Sequence, residues 1–286
     1  MHKALESLYG PAEAKAIVRL LMEERYGLSM TDILLGRMPA DWDPALFARL
    51  QAGEPVQYVL GHTTFCGLRV NTDPRALIPR PETEGLVALA RQLYPTPTHI
   101  LDVCTGSGCI ALALKHMWPT AHVEAWDISP DALDLARENF ALHGLDITTR
   151  QINLLNKDEW PSIRKSAPKG GDASGAEEII ISNPPYVLQA ESAAMQPNVL
   201  CHEPHLALFV PDDDPLLFYR ALASLARQRL KPGGSLIVEC NTAFVPHVVA
   251  LFSAHGLVNA TTHDDCFLRP RFVAAQQPAH PSPSHL

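Results

Sequence analysis

Cysteine is scarce in this sequence. The chain of 286 residues has six cysteines, and no two of them are spaced as Cys-x-x-Cys. This spacing argues against a zinc site and against a disulfide framework, so reduced thiols, as in the cytoplasm, are expected. Long hydrophobic runs are also lacking, because no stretch reaches the roughly 18 uncharged apolar residues that a membrane-spanning helix requires. The sequence therefore predicts a cytoplasmic protein without a membrane partner.

Positive charge is in short supply as well. Lysine and arginine together number 23, against 31 aspartates and glutamates, which gives a formal net charge of -8. Nonspecific affinity for a phosphate backbone comes from clustered lysine and arginine, so no stable nucleic-acid binding is expected. The hydrophobic content of 47% is enough for one large core and a small additional domain.

The first part of the chain has a helical pattern. Apolar residues recur at helical spacing over residues 12–50, with breaks at two glycines and a proline. We expect a small N-terminal helical domain over residues 1–61. The short β-type runs that follow are interrupted by Gly67 and by an Asp-Pro pair, and they predict a β-hairpin in a linker at residues 62–80.

Strands alternate with helices after residue 97. Such alternation is typical of a parallel sheet covered by helices on both faces. We therefore predict an α/β fold, with a seven-stranded Rossmann-like domain over residues 81–275. The predicted strands lie at residues 100–104, 123–127, 147–153, 179–182 and 235–240, with a final pair near 260 and 272. The predicted helices lie at residues 86–93, 109–118, 130–143, 215–230 and 245–255.

Two segments do not follow this pattern because they are rich in proline, glycine or serine. Residues 157–178 are predicted to form a long mobile loop within the domain. Residues 276–286 are predicted to form a disordered tail.

A glycine-rich turn follows the first predicted strand of the domain. Gly106 and Gly108 have no β-carbon, so they permit a tight turn and the close approach of a ligand to the backbone. The helix that follows presents unpaired N–H groups at its N-terminus. Asp127 ends the next strand, where a Rossmann-like fold has the acidic residue that accepts hydrogen bonds from ribose hydroxyls. The turn is therefore predicted to bind a nucleoside-containing cofactor.

The turn alone leaves the identity of the cofactor open. Residues 106–111 also match the dinucleotide pattern G-x-G-x-x-A, which nicotinamide-binding proteins share. Asp102 favours S-adenosylmethionine, because a carboxylate buried beneath the turn can orient it and face the cationic amino-acid part of that cofactor. A nicotinamide cofactor has no such cation.

Asn183-Pro184-Pro185-Tyr186 follows an apolar strand and is expected at the carboxyl edge of the sheet, beside the cofactor. The two prolines stiffen the loop and remove N–H donors, which leaves carbonyl acceptors. A planar NH2 group can donate to the Asn183 side-chain oxygen and to the Pro184 carbonyl, with Tyr186 stacked on the substrate plane. This geometry would direct the nitrogen at an electrophilic methyl group, so the loop predicts methylation of an amide or amino nitrogen.

Two shorter motifs accompany this loop. Thr83 or Glu82 is predicted to cap the helix at residues 86–93 and to lie over the cofactor. His202-Glu203-Pro204-His205 looks like a cluster of metal ligands, but the proline prevents helical i, i+4 geometry. We therefore expect a loop at this motif and no bound metal.

At these residues the chain resembles the bacterial glutamine methyltransferases that modify peptide chain release factors. The resemblance covers residues 14–273 and rests on residues 78–84, 102–111 and 183–186, together with Asp127, Glu203-Pro204 and Ala207-Leu208. It implies a class I methyltransferase domain that uses S-adenosylmethionine and transfers a methyl group to the glutamine of a Gly-Gly-Gln loop. It also implies that the N-terminal domain helps to bind the release factor.

The same resemblance assigns roles to individual residues. The loop Asn183, Pro184, Pro185 and Tyr186 is implied to hold the glutamine and to act in catalysis. The implied cofactor-binding residues are Asp102, Cys104, Thr105, Gly106, Ser107, Gly108, Asp127, Asn153, Leu154 and Asn183. Three features depart from the family: Cys104 replaces the usual first glycine, Asn153 replaces an acidic residue near the adenine, and residues 157–178 are longer than usual. Leu154 lies where the family often has an aromatic residue.

Three alternative functions stay open at this point. A related enzyme methylates a glutamine of a large-subunit ribosomal protein and has nearly the same motifs, although the form of residues 80–84 favours a release factor as substrate. An adenine-N6 methyltransferase of DNA would also use an Asn-Pro-Pro-Tyr loop, but the acidic charge argues against it. A nicotinamide-dependent oxidoreductase is disfavoured because no residue looks like a hydride-transfer partner.

Overall fold

The computed structural model describes residues 1–161 and 176–279, which form a group of helices, a hairpin and a large sheet. Four helices make up the N-terminal part: α1 (Glu6–Tyr26), α2 (Met30–Leu34), α3 (Pro44–Gln51) and α4 (Val56–Leu60). They enclose a small core of their own, formed by residues such as Leu5, Leu21 and Leu50, which are fully buried. Within the described residues, no helix is long and apolar enough to cross a bilayer.

Glycine and proline set the ends of these helices. α1 ends where Gly27 adopts a left-handed conformation, and a capping box between Ser29 and Asp32 begins α2. Pro44 begins α3 rather than breaking a helix, because its missing N–H group is not needed in the first turn. A side-chain oxygen of Asp43 caps the same helix.

The predicted hairpin is confirmed and links the helices to the sheet. It consists of β1 (His62–Phe65) and β2 (Leu68–Asn71), which pair antiparallel. Phe65 and Val70 are buried against the core of the sheet that follows. The hairpin therefore packs its buried side chains on the sheet, while His62 also contacts Glu24 of α1.

The rest of the described chain alternates helices and strands. In order, its elements are α5 (Glu84–Leu93), β3 (His99–Val103), α6 (Cys109–Met117), β4 (His122–Asp127), α7 (Pro130–Leu142), β5 (Thr148–Gln151), β6 (Glu177–Ser182), β7 (Val187–Leu188), α8 (Pro197–His202), α9 (His205–Leu208), β8 (Phe209–Val210), α10 (Leu217–Arg229), β9 (Leu230–Glu239), α11 (Val245–Ala254), β10 (Val258–Asp264) and β11 (Pro270–Gln276).

Seven of these strands form one twisted sheet in the order β10-β11-β9-β6-β3-β4-β5. The five strands from β9 to β5 are parallel. At one end β11 pairs antiparallel with β9, and β10 pairs antiparallel with β11. Side chains alternate between the faces: Ile179 and Ile181 pack with α5 and α6, and Ile180 packs with α10 and α11. The α/β fold with a Rossmann-like sheet is confirmed.

Some predicted boundaries differ from the observed ones. β6 begins at Glu177 rather than at residue 179, because the Glu177 carboxylate is paired with Arg229 and can therefore be buried in the strand. Lys157–Glu159 form a single 3-10 turn inside the predicted loop, and residues 162–175 lie outside the described residues. Gln276 belongs to β11, where it pairs with Ser235, and residues 280–286 of the predicted tail are likewise not described.

Candidate active site

A cavity opens at the carboxyl edge of the sheet, where β3, β4 and β6 end. Its sides come from segments far apart in the sequence, and one of them, residues 75–80, belongs to the linker and not to the sheet domain. The cavity is lined by residues 75–80, Thr83, residues 103–107, Cys109, Ile110, residues 127–129, Ala132, residues 152–155, Asn183, Pro185, Pro204, Leu206, Ala207 and Phe218.

Asp102 supports the glycine turn from below. Its side chain is fully buried, and its Oδ2 atom accepts hydrogen bonds from the Thr105 hydroxyl at 2.6 Å and from the Ala111 N–H at 3.1 Å. The Oδ1 atom has no hydrogen-bond partner among the described residues. Burial raises the pKa of Asp102 to about 7, against the lowering effect of those two donors. The carboxylate therefore fixes the turn and keeps one oxygen unpaired.

Asp127 lies at the end of β4 and lines the cavity. Its Oδ2 accepts the Gly106 N–H at 2.8 Å, and its Oδ1 accepts the Ser129 N–H at 2.9 Å. Burial raises the pKa of Asp127, while these backbone donors act in the opposite direction. Each carboxylate oxygen has a second lone pair available, so Asp127 orients the turn and can still accept hydrogen bonds from a ligand.

The turn itself uses left-handed backbone conformations. Gly106 has a φ of 54° and Gly108 a φ of 79°, values that favour glycine. A β-carbon on Gly108 would lie 2.6 Å from the Phe140 ring, whereas one on Gly106 would lie 4.0 Å from its nearest neighbour, the β-carbon of Ala76. Cys104, where the related family usually has glycine, also has a positive φ of 61°. The position thus retains the conformation of a glycine while carrying a side chain.

The Asn-Pro-Pro-Tyr loop joins two other segments. The Asn183 Nδ2 donates a hydrogen bond to the Thr83 hydroxyl oxygen at 3.2 Å, and the Tyr186 hydroxyl donates to Glu239 at 2.9 Å. Thr83 also donates its own hydroxyl proton to Glu239, at 2.8 Å. Burial raises the pKa of Tyr186, and the neighbouring Glu239 carboxylate adds to that shift. Asn183 and Pro185 line the cavity, and these contacts hold them there.

The predicted cap of α5 is wrong. The helix begins at Glu84 with Thr83 at the capping position, but the Thr83 side chain accepts no hydrogen bond from the backbone of the first turn. Its hydroxyl donates to Glu239 and accepts from Asn183 instead, because Thr83 has helical φ and ψ angles of -63° and -21° and not the extended conformation of a capping residue. Thr83 does line the cavity, as predicted, while Glu82 lies in a preceding 3-10 turn.

The histidine motif also differs from its prediction as a loop. His202 ends α8 and His205 begins α9, so only Glu203 and Pro204 are extended. The buried Glu203 carboxylate accepts hydrogen bonds from the Ile78 N–H at 3.1 Å and from Arg80 at 2.6 Å. Glu203 therefore holds residues 78–80 in place at one side of the cavity.

Tyr58 also stabilises the side of the cavity formed by residues 75–80. The hydroxyl of Tyr58, a buried residue at the end of the N-terminal helices, donates to the Ala76 carbonyl oxygen at 2.8 Å. Neither Tyr58 nor Glu239 was identified from the sequence. Glu239 could have been noticed as a charged residue at the end of the apolar run 236–238. No sequence pattern indicated a role for Tyr58.

The cavity brings most of the predicted site residues together. Cys104, Thr105, Gly106, Ser107, Asp127, Asn153, Leu154, Asn183 and Pro185 all line it. Asp102, Gly108, Pro184 and Tyr186 are not among its lining residues in the described part of the chain, so a contact of any of them with a ligand stays a prediction. The Asn153 side-chain oxygen accepts the Leu155 N–H at 3.0 Å, so it stabilises the local turn.

Comparisons with known proteins agree with this fold and site. Residues 84–203 match the methyltransferase small domain family. The crystal structure of a methyltransferase from Pyrococcus furiosus has a TM-score of 0.51 at 14% sequence identity, covering 82% of this chain and 100% of that chain. The sheet topology and the matching domain together define a methyltransferase.

Relatives that align over most of their length identify the family within this class. A release factor glutamine methyltransferase from Bacteroides thetaiotaomicron is 37% identical over 284 residues, covering 97% of this chain and 98% of the relative. Another, from Deinococcus radiodurans, is 37% identical and covers 91% of this chain and 90% of the relative. The chain belongs to the release factor glutamine methyltransferase family. This membership does not favour the oxidoreductase, DNA or ribosomal-protein alternatives.

Proposed function

We propose that this enzyme transfers the methyl group of S-adenosylmethionine to the side-chain amide nitrogen (N5) of the glutamine in the Gly-Gly-Gln motif of peptide chain release factors. The observation that supports the proposal is the hydrogen bonding of the Asn183 side-chain amide. Asn183 lines the same cavity as the glycine turn, and its nitrogen donates to Thr83. No donor among the described residues reaches its Oδ1 atom. The free oxygen supports a role in accepting a hydrogen bond from a substrate NH2 group.

The residues around the turn fit the proposed cofactor. The unpaired Oδ1 of buried Asp102 can attract a nearby cation, such as the amino group of the cofactor. The glycine backbone of the turn allows a ligand to approach closely. Asp127 can accept hydrogen bonds from ribose hydroxyls through its remaining lone pairs. Apolar side chains at residues 128, 152 and 154 form a surface suited to a flat heteroaromatic ring. Cys104, Thr105, Ser107 and Asn153 complete the proposed contacts.

When bound, S-adenosylmethionine supplies an electrophilic methyl group. The glutamine amide nitrogen is neutral and a weak nucleophile, so the protein must act through orientation and electrostatics. Asn183 Oδ1 accepts one amide proton and the Pro184 carbonyl accepts the other, and this pair fixes the direction of the nitrogen lone pair. The same acceptors stabilise the positive charge that develops on that nitrogen, so no base is needed before attack. Contact of Tyr186 with the substrate stays a prediction.

The function is tested with labelled S-adenosylmethionine and four acceptors: a release factor, the same factor with its Gly-Gly-Gln glutamine changed to alanine, a large-subunit ribosomal protein, and DNA. We expect label on the intact release factor only. Equal labelling of the alanine factor would refute transfer to that glutamine, and faster labelling of the ribosomal protein would reassign the substrate. Label on DNA would instead support the adenine-N6 alternative.

We also propose that the N-terminal helices, within residues 1–61, bind the protein substrate. None of the residues that line the cavity comes from this segment, so it makes no direct contact with the proposed cofactor. It presents two exposed leucines next to each other, Leu34 at 79% and Leu35 at 64% exposure. Burial of an exposed leucine on binding contributes about 1 to 2 kcal/mol, so these residues suit an apolar contact with the release factor.

Replacing both leucines in the double variant Leu34→Asp, Leu35→Asp is expected to raise KM for the release factor about tenfold or more. The affinity for S-adenosylmethionine should stay within twofold of the wild-type value, since the change is outside the cavity. Steady-state kinetics and calorimetry measure the two quantities. Leu142→Asp is the matched control, because Leu142 is a 50% exposed leucine at the end of α7. A similar rise in KM for this control would contradict a specific contact at α2.

A further inference from the structure

Glu239 is a buried carboxylate beside the Asn-Pro-Pro-Tyr loop with no part in the proposed reaction so far. It ends β9, is 1% exposed, and is not among the residues that line the cavity in the described part of the chain. Burial of a carboxylate is unfavourable unless partners compensate it. An apolar residue would fill the end of this strand without that cost, so the position of Glu239 calls for a physical explanation.

The partners of Glu239 lie on both sides of Asn183. Its Oε2 accepts the Thr83 hydroxyl at 2.8 Å, and its Oε1 accepts the Tyr186 hydroxyl at 2.9 Å. A guanidinium nitrogen of Arg271 lies 3.8 Å from the same Oε1 atom. The carboxylate thus connects the start of α5, the catalytic loop and β11 at one point behind the cavity.

The chemistry of these groups fixes the direction of the hydrogen bonds. An ionised carboxylate only accepts, so the single proton of the Thr83 hydroxyl points toward Glu239. The remaining contact of Thr83, at 3.2 Å to Asn183, must then be donated by the Asn183 NH2 group. If the amide were rotated by half a turn, two oxygen atoms would face each other without a proton between them. Only one orientation of the amide is satisfied, and it leaves Oδ1 free.

We propose that Glu239 is a positioning residue for methyl transfer: by accepting the Thr83 hydroxyl it holds the Asn183 amide with its oxygen free for the acceptor NH2 group. The proposal rests on the proposed function, because an oriented Asn183 oxygen matters only if a substrate amide donates to it. Glu239 itself touches neither substrate nor cofactor. Its effect passes through Thr83, and Tyr186 holds the other oxygen of the carboxylate in place.

The variant Glu239→Gln tests this chain of hydrogen bonds. The glutamine has the same shape, and the Arg271 guanidinium beside Oε1 disfavours an NH2 group there, so the new NH2 is expected next to Thr83. It would donate to the Thr83 oxygen and turn the hydroxyl proton toward Asn183, which reverses the amide. We expect kcat for release factor methylation to fall about tenfold or more, with KM and cofactor affinity within twofold of wild type.

Glu178→Gln is the matched control. Glu178 also accepts a threonine hydroxyl, that of Thr98 at 3.2 Å, but it is the second residue of β6 and lies near the opposite edge of the sheet. Its substitution removes a comparable carboxylate without touching Asn183, so kcat should stay within twofold of wild type. An equal fall of kcat in both variants would show that loss of a buried carboxylate slows the enzyme for general structural reasons, which overturns the proposal.

A pair of variants at Thr83 gives an independent test if Glu239→Gln does not fold. Thr83→Ser retains the hydroxyl and should retain most of kcat, whereas Thr83→Val has the same shape without it and should lose tenfold or more. Equal losses in the two variants, or a kcat within twofold of wild type for a folded Glu239→Gln, overturn the proposal. Wild-type transfer to the release factor is measured first, because its absence refutes the proposed function and not the role of Glu239 alone.

Discussion

Asn183→Ala is expected to lower kcat for glutamine methylation about a hundredfold or more. The substitution removes the oxygen that we propose accepts the substrate amide proton, so a weak nucleophile loses its orientation and the stabilisation of its developing charge. Cofactor binding should change little, because the glycine turn and Asp127 supply most of the proposed contacts. Single-turnover transfer of labelled methyl to a release factor measures the effect.

Comparison of KM with kcat separates the possible roles of Asn183. A rise in KM at normal kcat would mean that the side chain contributes equally to binding substrate and transition state. Near-normal turnover by a folded Asn183→Ala variant would remove Asn183 from the chemical step. The release factor in which alanine replaces the Gly-Gly-Gln glutamine is the blank for both measurements.

Gly108→Ala is expected to destabilise the protein by about 2 to 5 kcal/mol. The residue has a φ of 79°, which is unfavourable for any side chain, and the new β-carbon would lie 2.6 Å from the Phe140 ring and 3.0 Å from the β-carbon of Ala136. Left-handed strain costs roughly 1 to 2 kcal/mol, and overpacking of a core adds roughly 1 to 3 kcal/mol. Denaturant unfolding without cofactor measures the loss.

Gly106→Ala is the matched control for Gly108→Ala. Gly106 also has a positive φ, but its nearest neighbour would be the Ala76 β-carbon at an ordinary 4.0 Å. Only the conformational cost applies, so destabilisation should be about 1 to 2 kcal/mol. The new methyl group would instead enter the cavity and weaken cofactor binding. Equal loss of stability in the two variants would show that contact with Phe140 is not the cause.

The strand, turn and helix around Gly106 could be predicted because their causes are local. A short apolar run defines β3, and the glycines mark the turn within a few residues of its end. The Asn-Pro-Pro-Tyr loop was placed at the cavity for the same reason: it follows the apolar run at residues 179–181, and parallel strands of one sheet end at one edge.

Contacts between distant residues could not be predicted in this way. Thr83 and Glu239 are 156 residues apart, and Ile78 and Glu203 are 125 residues apart. Local rules assigned Thr83 to a helix cap, where a buried long-range partner prevailed over the local preference. They placed Glu203 outside a helix, as observed, but did not predict its partners Ile78 and Arg80. The sequence pattern defines elements and their edges, whereas the partner of each polar side chain depends on the packed structure.

The cavity wall at residues 75–80 lies between the two parts of the chain for which we propose different roles. Methyl transfer is proposed for the sheet, and binding of the protein substrate for the N-terminal helices. Glu203 holds this wall from the sheet side and Tyr58 holds it from the N-terminal helices, so it belongs to neither part alone. A chain cut at residue 81 would lack one side of the cavity, although every strand of the large sheet would remain. A ligand that contacts this wall would therefore favour the docked position of the N-terminal helices. A protein that binds only the docked helices would then raise the affinity of the cavity for its ligand, and by thermodynamic reciprocity the ligand would raise the affinity for that protein by the same factor.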